Sequence, residues 1–233
     1  MIYFKETKME SRDRVSWRDA GEELRRFGSR FTRFIRYSPA ALFLIAFFFF
    51  NDAILTFANN FPIYVDRVFA VDDTTKSMLL LGILLTSAVG SYVSGWLGDR
   101  IGMKKTLKII IGTWIIVIPV LAVTNSFPLF IGVTVAVGLL YGAIWSVTRA
   151  YLSGILPQKE MNYGFSLYTL SERFATFAGP LTWGLIVSSF GETSAFGYRV
   201  AALAMTVFVI IGYLFLRRIP DYSIKLIPTE TLR

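Results

Sequence analysis

Three sets of polar side chains interrupt the apolar runs of this sequence at helical spacing. They are Asp52, Thr56 and Asn59; Tyr141, Trp145 and Arg149; and Tyr168, Glu172 and Thr176. Residues three or four apart share one helix face, so each set forms a polar stripe. Arg173 adds a fourth ionisable group to Asp52, Arg149 and Glu172 within apolar surroundings. Such groups are costly in a membrane and mark candidate solute or proton paths. The chain has no histidine, so any proton coupling falls to carboxylates such as Asp52 or Glu172. Catalysis is not expected. There is no Ser/His arrangement and no metal-ligand cluster, and a lone carboxylate is not a catalytic constellation. With no cysteine, disulfides, thiolate metal sites and cysteine nucleophiles are excluded. No cofactor, metal or nucleic-acid partner is expected.

The elements that must carry these stripes are long. Hydrophobic residues make up 54% of the 233 residues, and mean hydropathy is +0.54, which places the chain in the membrane class. Six apolar runs cover about 39–62, 76–97, 106–123, 128–155, 163–190 and 199–216, each near the roughly 20 residues a spanning helix needs. Backbone groups in lipid must pair within their own segment, so helices are required. The fifth run, interrupted by Glu172-Arg173 and containing Gly179-Pro180, is expected to kink. The expectation is therefore an all-α integral membrane domain, a six-helix bundle over 39–218. It lies between a 1–38 segment and a 219–233 tail, both cytoplasmic. Within the first segment, Trp17, Ala20, Leu24, Phe27, Phe31 and Phe34 recur against an arginine-rich face. That pattern predicts an amphipathic helix on the inner membrane surface.

Charge sets the orientation. With the N-terminus inside, nineteen basic residues fall on the inner side and three, Arg67, Lys76 and Arg199, on the outer side. The positive-inside rule then places both termini in the cytoplasm, with the cell membrane the expected location.

At about 1.5 Å per residue, Asp52 lies roughly 20 Å from the inner face, Arg149 roughly 9 Å, and Glu172 and Arg173 roughly 15 Å. Arg149 is in reach of Glu172, and Arg173 of Asp52; the structural alternative is a set of buried ion pairs that hold the bundle together. The third and sixth runs carry little polarity beyond Thr113 and Thr206 and are expected to face lipid. The frequent span glycines, among them Gly90, Gly138, Gly142 and Gly179, suit close helix packing.

Between the second and third runs lies SGWLGDRIGMKK, residues 94–105. Its Gly95, Asp99, Arg100, Gly102, Lys104 and Lys105 resemble the inner-loop signature of the major facilitator superfamily. Asp99 sits at the C-terminal end of its own helix, where the dipole disfavours an acid, and is expected to face the N-terminal end of a neighbouring helix near Asn162. The resemblance implies that Asp99 latches an inner gate with help from Arg100. It also implies that Gly102 permits the turn and that Lys104 and Lys105 keep the loop inside. NDAILT (51–56), SVTRAYLSGILP (146–157) and NYGFSLYTLSERFATFAGPL (162–181) further resemble the second half of the autophagy-related vacuolar effluxer family and its prokaryotic relatives.

That resemblance implies the C-terminal half of a twelve-helix transporter, which moves a small solute such as an amino acid by alternating access. Asp52, Asn59, Tyr141, Trp145, Arg149 and Glu172 would line the substrate path. The first residues, YFKET, look like the end of a preceding helix, so the partner is expected to be a separate or missing N-terminal six-helix half or a second copy. The alternative is a half-transporter remnant that acts as a membrane binding or assembly partner without moving solute.

Overall fold

The computed structural model describes Gly28 and residues 39–220. Among the described residues every regular element is helical. The helices are α1 (Pro39–Phe69), α2 (Asp73–Ile101), α3 (Met103–Val123), α4 (Phe127–Ile155), α5 (Met161–Phe174), α6 (Ala178–Phe190) and α7 (Ala195–Arg218). A single 3-10 turn, Gln158–Glu160, precedes α5. Five of them, α1, α2, α3, α4 and α7, are long and apolar enough to cross a membrane. The amphipathic helix expected ahead of residue 38 and the tail beyond residue 220 lie outside the described residues.

The central helix is α1, which packs against α7, α5, α4, α6 and α2. Its burial follows from its aromatic content. Phe43, Phe47, Phe50 and Phe57 are all buried, and Phe47 stacks on Tyr168 of α5 at 4.2 Å between ring centroids. Within the run Phe47–Phe50, Phe47 and Phe50 are buried and the half-buried Phe49 stacks on Phe215 of α7 at 6.0 Å.

Small residues decide the closest approaches. A Cβ at Gly90 of α2 would collide with the Leu139 carbonyl of α4, and one at Gly142 with the Ser87 carbonyl of α2. The backbones meet there, and Ser91 Oγ donates to the Gly142 carbonyl at 2.9 Å. This is the small-residue route to helix association where lipid removes the hydrophobic driving force. On the other side of the bundle, Gly212 of α7 lies against the Ala46 carbonyl and Phe50 of α1.

The third and sixth apolar runs differ from expectation. Rather than facing only lipid, α3 buries Leu107, Ile111, Trp114, Ile118 and Leu121, and α7 buries Ala201, Ala202, Met205 and Val209. Periodicity alone did not separate them, because a helix that is apolar on every face shows no preferred side.

The turns have local causes. Gly102 alone separates α2 from α3 at φ +94°, a backbone region open to glycine, and its N–H donates to the Gly98 carbonyl at 2.9 Å. Nothing within 4 Å would obstruct a Cβ there, so conformation rather than space selects the glycine. Before α7, the Ser194 hydroxyl accepts from Gly197 N–H at 3.3 Å, an ordinary N-cap. Between α1 and α2, the Thr75 hydroxyl beside Asp72 holds its carboxyl below the usual carboxylate range.

Candidate functional site

The fifth apolar run is two helices. The helical pattern breaks at residues 175–177, immediately before Gly179-Pro180, where the run was expected to kink. Proline has no N–H to offer and its ring clashes with the carbonyl four residues back, at Thr176. The chain therefore restarts, and Pro180 falls in the first turn of α6, where a missing N–H costs nothing. The residue that flanks this start is Phe177, which has no side-chain acceptor and makes no cap.

Asp52 supplies the cap from another helix. Its Oδ2 accepts Gly179 N–H at 2.6 Å, a charge-assisted contact at a helix N-terminus. The fit is tight. A Cβ on Gly179 would collide with Thr56 Oγ1 and come within 2.8 Å of Asp52 Oδ1 and 3.0 Å of the Asp52 carbonyl. Asn51 Nδ2, Asp52 Oδ1 and Thr56 Oγ1 are buried there without a hydrogen-bond partner among the described residues. Asp52 is fully buried, so it stands behind the bundle surface at the junction of α1 and α6.

Two other residues of the predicted path do share a cavity. A space of about 190 Å³ between α1, α2, α3 and α4 is lined by Asn59 and Tyr141, with Phe57, Phe61 and Trp114 as aromatic walls. Trp145 meets Tyr141 edge to face at 6.2 Å, one turn along α4. Trp114 carried no polar signal in the sequence, yet its indole N–H is buried without a hydrogen-bond partner among the described residues.

Arg149 and Glu172 form a separate group around Tyr168. The Tyr168 hydroxyl lies 3.2 Å from Thr148 Oγ1, and Arg149 and Glu172 are its charged neighbours. Arg149 and Arg173 are both exposed. Among the described residues no ion pair joins Arg149 to Glu172 or Arg173 to Asp52, so the two pairings in reach by depth are not made. Depth along the membrane normal says nothing about which face a side chain occupies, and Asp52 is already engaged by a backbone amide.

At one end of the bundle, Arg100 lies 4.0 Å over the Trp96 ring. Lys104 Nζ donates to the Ile219 carbonyl at 2.5 Å, tying the start of α3 to the end of α7. Gly95 is half-buried, while Asp99 and Lys105 are exposed. Asp99 has no hydrogen-bond or ion-pair partner among the described residues. The expected contact with the helix that starts near Asn162 is not formed, and α5 packs instead on α1 and α4.

The opposite end holds a wider cleft of about 720 Å³, lined by Asn60, Asp66, Lys76, Trp183, Glu192 and Tyr198 among others. Lys76 bridges Asp66 at 2.9 Å and Asp73 at 2.6 Å, clamping the α1–α2 turn. In the sequence Lys76 stands only as one of the three outer basic residues. The signal of the clamp was the Asp66–Asp73–Lys76 spacing across a tight turn.

The arrangement is that of an apolar helical membrane bundle with a few buried polar groups, a glycine-turn loop and a helix broken at residues 175–177. Residues 41–231 match the model of the Major Facilitator Superfamily, and the chain belongs to that family. It is thus an integral membrane protein of a transporter family, not an enzyme. It is 24% identical over 164 residues to "Glucose transporter GlcP" of Staphylococcus epidermidis, covering 70% of this chain and 36% of that protein. It is 28% identical over 213 residues to "Putative proline/betaine transporter" of Staphylococcus aureus, covering 85% and 44%. It is 20% identical over 186 residues to "Autophagy-related protein 22-2" of Neosartorya fischeri, covering 73% and 30%. The chain spans less than half the length of these curated relatives.

Proposed function

We propose that the chain moves a small solute across a membrane by alternating access, as the C-terminal six-helix half of a major-facilitator transporter. On this reading α5 and α6 together make the fifth of six spans, and both termini face the cytoplasm. The observation that carries it is the cavity between α1 and α4, where Asn59 and Tyr141 meet in otherwise apolar surroundings. On α1 as well, Asp52 receives the N-terminal amide of a broken helix. Discontinuous helices are a recurring feature of transporter sites.

Trp145 extends this path along α4, and Arg149 with Glu172 makes its next station around Tyr168. The exposed side chains of α2, Leu84, Leu85, Tyr92 and Trp96 among them, leave a face on which a second bundle can rock. An N-terminal six-helix half or a second copy supplies that bundle. Gly95, Asp99, Arg100, Gly102, Lys104 and Lys105 then form the gate at the cytoplasmic end. Relatives named for glucose and for proline/betaine make a sugar and an amino-acid-like solute the two substrate classes to test, beside the amino acids suggested by the effluxer resemblance.

The test is counterflow uptake of labelled D-glucose, L-proline and glycine betaine. Proteoliposomes carry the protein, isolated in mild detergent with whatever bundle accompanies it. Saturable uptake of one solute is expected, reduced at least tenfold by Tyr141→Ala. No uptake of any of the three, or uptake indifferent to Tyr141→Ala and Arg149→Ala, overturns the reading.

A further inference from the structure

We infer that Arg149 and Glu172 seat a small zwitterion between them, its carboxylate on Arg149 and its ammonium on Glu172. The inference rests on the transport reading above and names the substrate class of that path.

The two charges come from different helices and meet at one hydroxyl. Tyr168 of α5 is buried, its ring stacked on Phe47 of α1 and its hydroxyl 3.2 Å from Thr148 Oγ1 of α4. Arg149 follows Thr148 directly, and Glu172 stands one turn beyond Tyr168 on the same face of α5. Both are charged neighbours of that hydroxyl. Contacts from α1 and α4 hold the tyrosine, so packing sets the separation of the two charges.

Opposite charges in apolar surroundings gain by pairing. These two stand beside the same hydroxyl and yet form no ion pair, with each other or with another residue, among the described residues. Arg173 lies about 100° further round α5 and leaves Glu172 unpaired as well. Both groups remain within reach of a solute, since Arg149 is exposed and Glu172 half-buried. At about 1.5 Å per residue, Arg149 lies roughly 9 Å before the end of α4 at Ile155, and Glu172 roughly 16 Å beyond the start of α5 at Met161. A snorkelling arginine turns to the near interface. Arg149 stands beside a buried tyrosine hydroxyl instead, with the acid one turn further in.

The charges define the solute. The guanidinium fork matches a carboxylate with two parallel hydrogen bonds, and the Glu172 carboxylate accepts N–H from an ammonium. A simple anion leaves Glu172 unmet, and a simple cation leaves Arg149 unmet. A neutral hydroxylated solute compensates neither charge in surroundings where an unpaired charge is costly. A zwitterion neutralises both at once.

The experiment uses the full chain in nanodiscs, isolated with whatever bundle accompanies it, and measures binding apart from transport. L-proline is titrated beside its two halves, cyclopentanecarboxylate and pyrrolidine, and beside D-glucose. L-proline is expected to bind at least tenfold more tightly than the other three. Arg149→Gln is expected to weaken it at least tenfold, with Arg149→Lys recovering part of the loss. Glu172→Gln is expected to weaken L-proline and to let cyclopentanecarboxylate bind as well as L-proline does, an exchange of preference that misfolding does not produce. Binding of none of the four, D-glucose bound in preference to L-proline, or L-proline binding indifferent to both substitutions overturns the inference. Counterflow uptake of D-glucose without L-proline binding sinks this inference alone. L-proline binding with the exchanged preference but no counterflow of any solute sinks the transport reading and leaves the seat.

Discussion

The Asp52 carboxylate on α1 accepts the Gly179 amide of α6 at 2.6 Å, so one helix caps another through a residue 127 positions later. That contact joins the central helix to α6, which starts just after the break at residues 175–177. It also explains a buried acid without an ion-pair partner, since the amide at a helix start carries partial positive charge.

Asp52→Ala is expected to leave the Gly179 amide buried and unpaired, at a cost of about 1–3 kcal/mol. Asp52→Asn keeps an acceptor and is expected to lose less. Amide hydrogen exchange over the first turn of α6 reports the difference, with exchange fastest in the alanine variant.

Gly179→Ala is expected to destabilise the same junction from the other side. Thr56→Ala removes the nearest obstacle and should recover part of the loss. Full recovery is not expected, because the Asp52 carbonyl at 3.0 Å is backbone and stays. A double-mutant cycle on thermal unfolding in detergent measures the coupling.

The α2–α4 crossing offers a sharper contrast. A Cβ at Gly138 meets the Thr86 hydroxyl first, whereas one at Gly142 meets the Ser87 backbone carbonyl. Thr86→Ala is therefore expected to relieve Gly138→Ala in part, and Ser87→Ala to do nothing for Gly142→Ala. Overpacking of this kind costs about 1–3 kcal/mol. Melting temperatures of the four single and two double variants check the pattern.

Gly102→Ala is expected to strain the α2–α3 turn by about 1–3 kcal/mol, because alanine is rarely found at φ +94°. With ψ at +140° the position lies outside the left-handed helical region that tolerates Asn, so Gly102→Asn is expected to lose about as much as Gly102→Ala. Equilibrium unfolding of the three proteins compares the two losses.

Much of this architecture was legible in the sequence, and the reasons are specific. Length and apolarity located the five helices long and apolar enough to cross a membrane, and the fifth run breaks close to Gly179-Pro180. Asn59 and Tyr141, taken from two of the stripes, line one cavity, whereas Asp52 and Thr56 of the first stripe turn to the start of α6. Other features were hidden for physical reasons. Trp114 reads as one more apolar residue in a run that is apolar all round, and only its surroundings reveal an unpaired N–H. The partner of Asp52 is a backbone amide, which no residue type announces. The Lys76 clamp needs the turn geometry that places Asp66 and Asp73 on either side of it.

Solute passage along the face of α1 and α4 that holds Asn59 and Tyr141 is the central claim, and the absence of native cysteine makes it directly measurable. Single Asn59→Cys and Tyr141→Cys variants in membranes are treated with a membrane-impermeant thiol reagent, with and without the solute that counterflow identifies. Both cysteines are expected to react, and the solute is expected to slow each reaction severalfold while sparing a control cysteine at Thr74, an exposed position at the α1–α2 turn. Inert cysteines at 59 and 141, or reaction rates that solute leaves unchanged, would contradict the account.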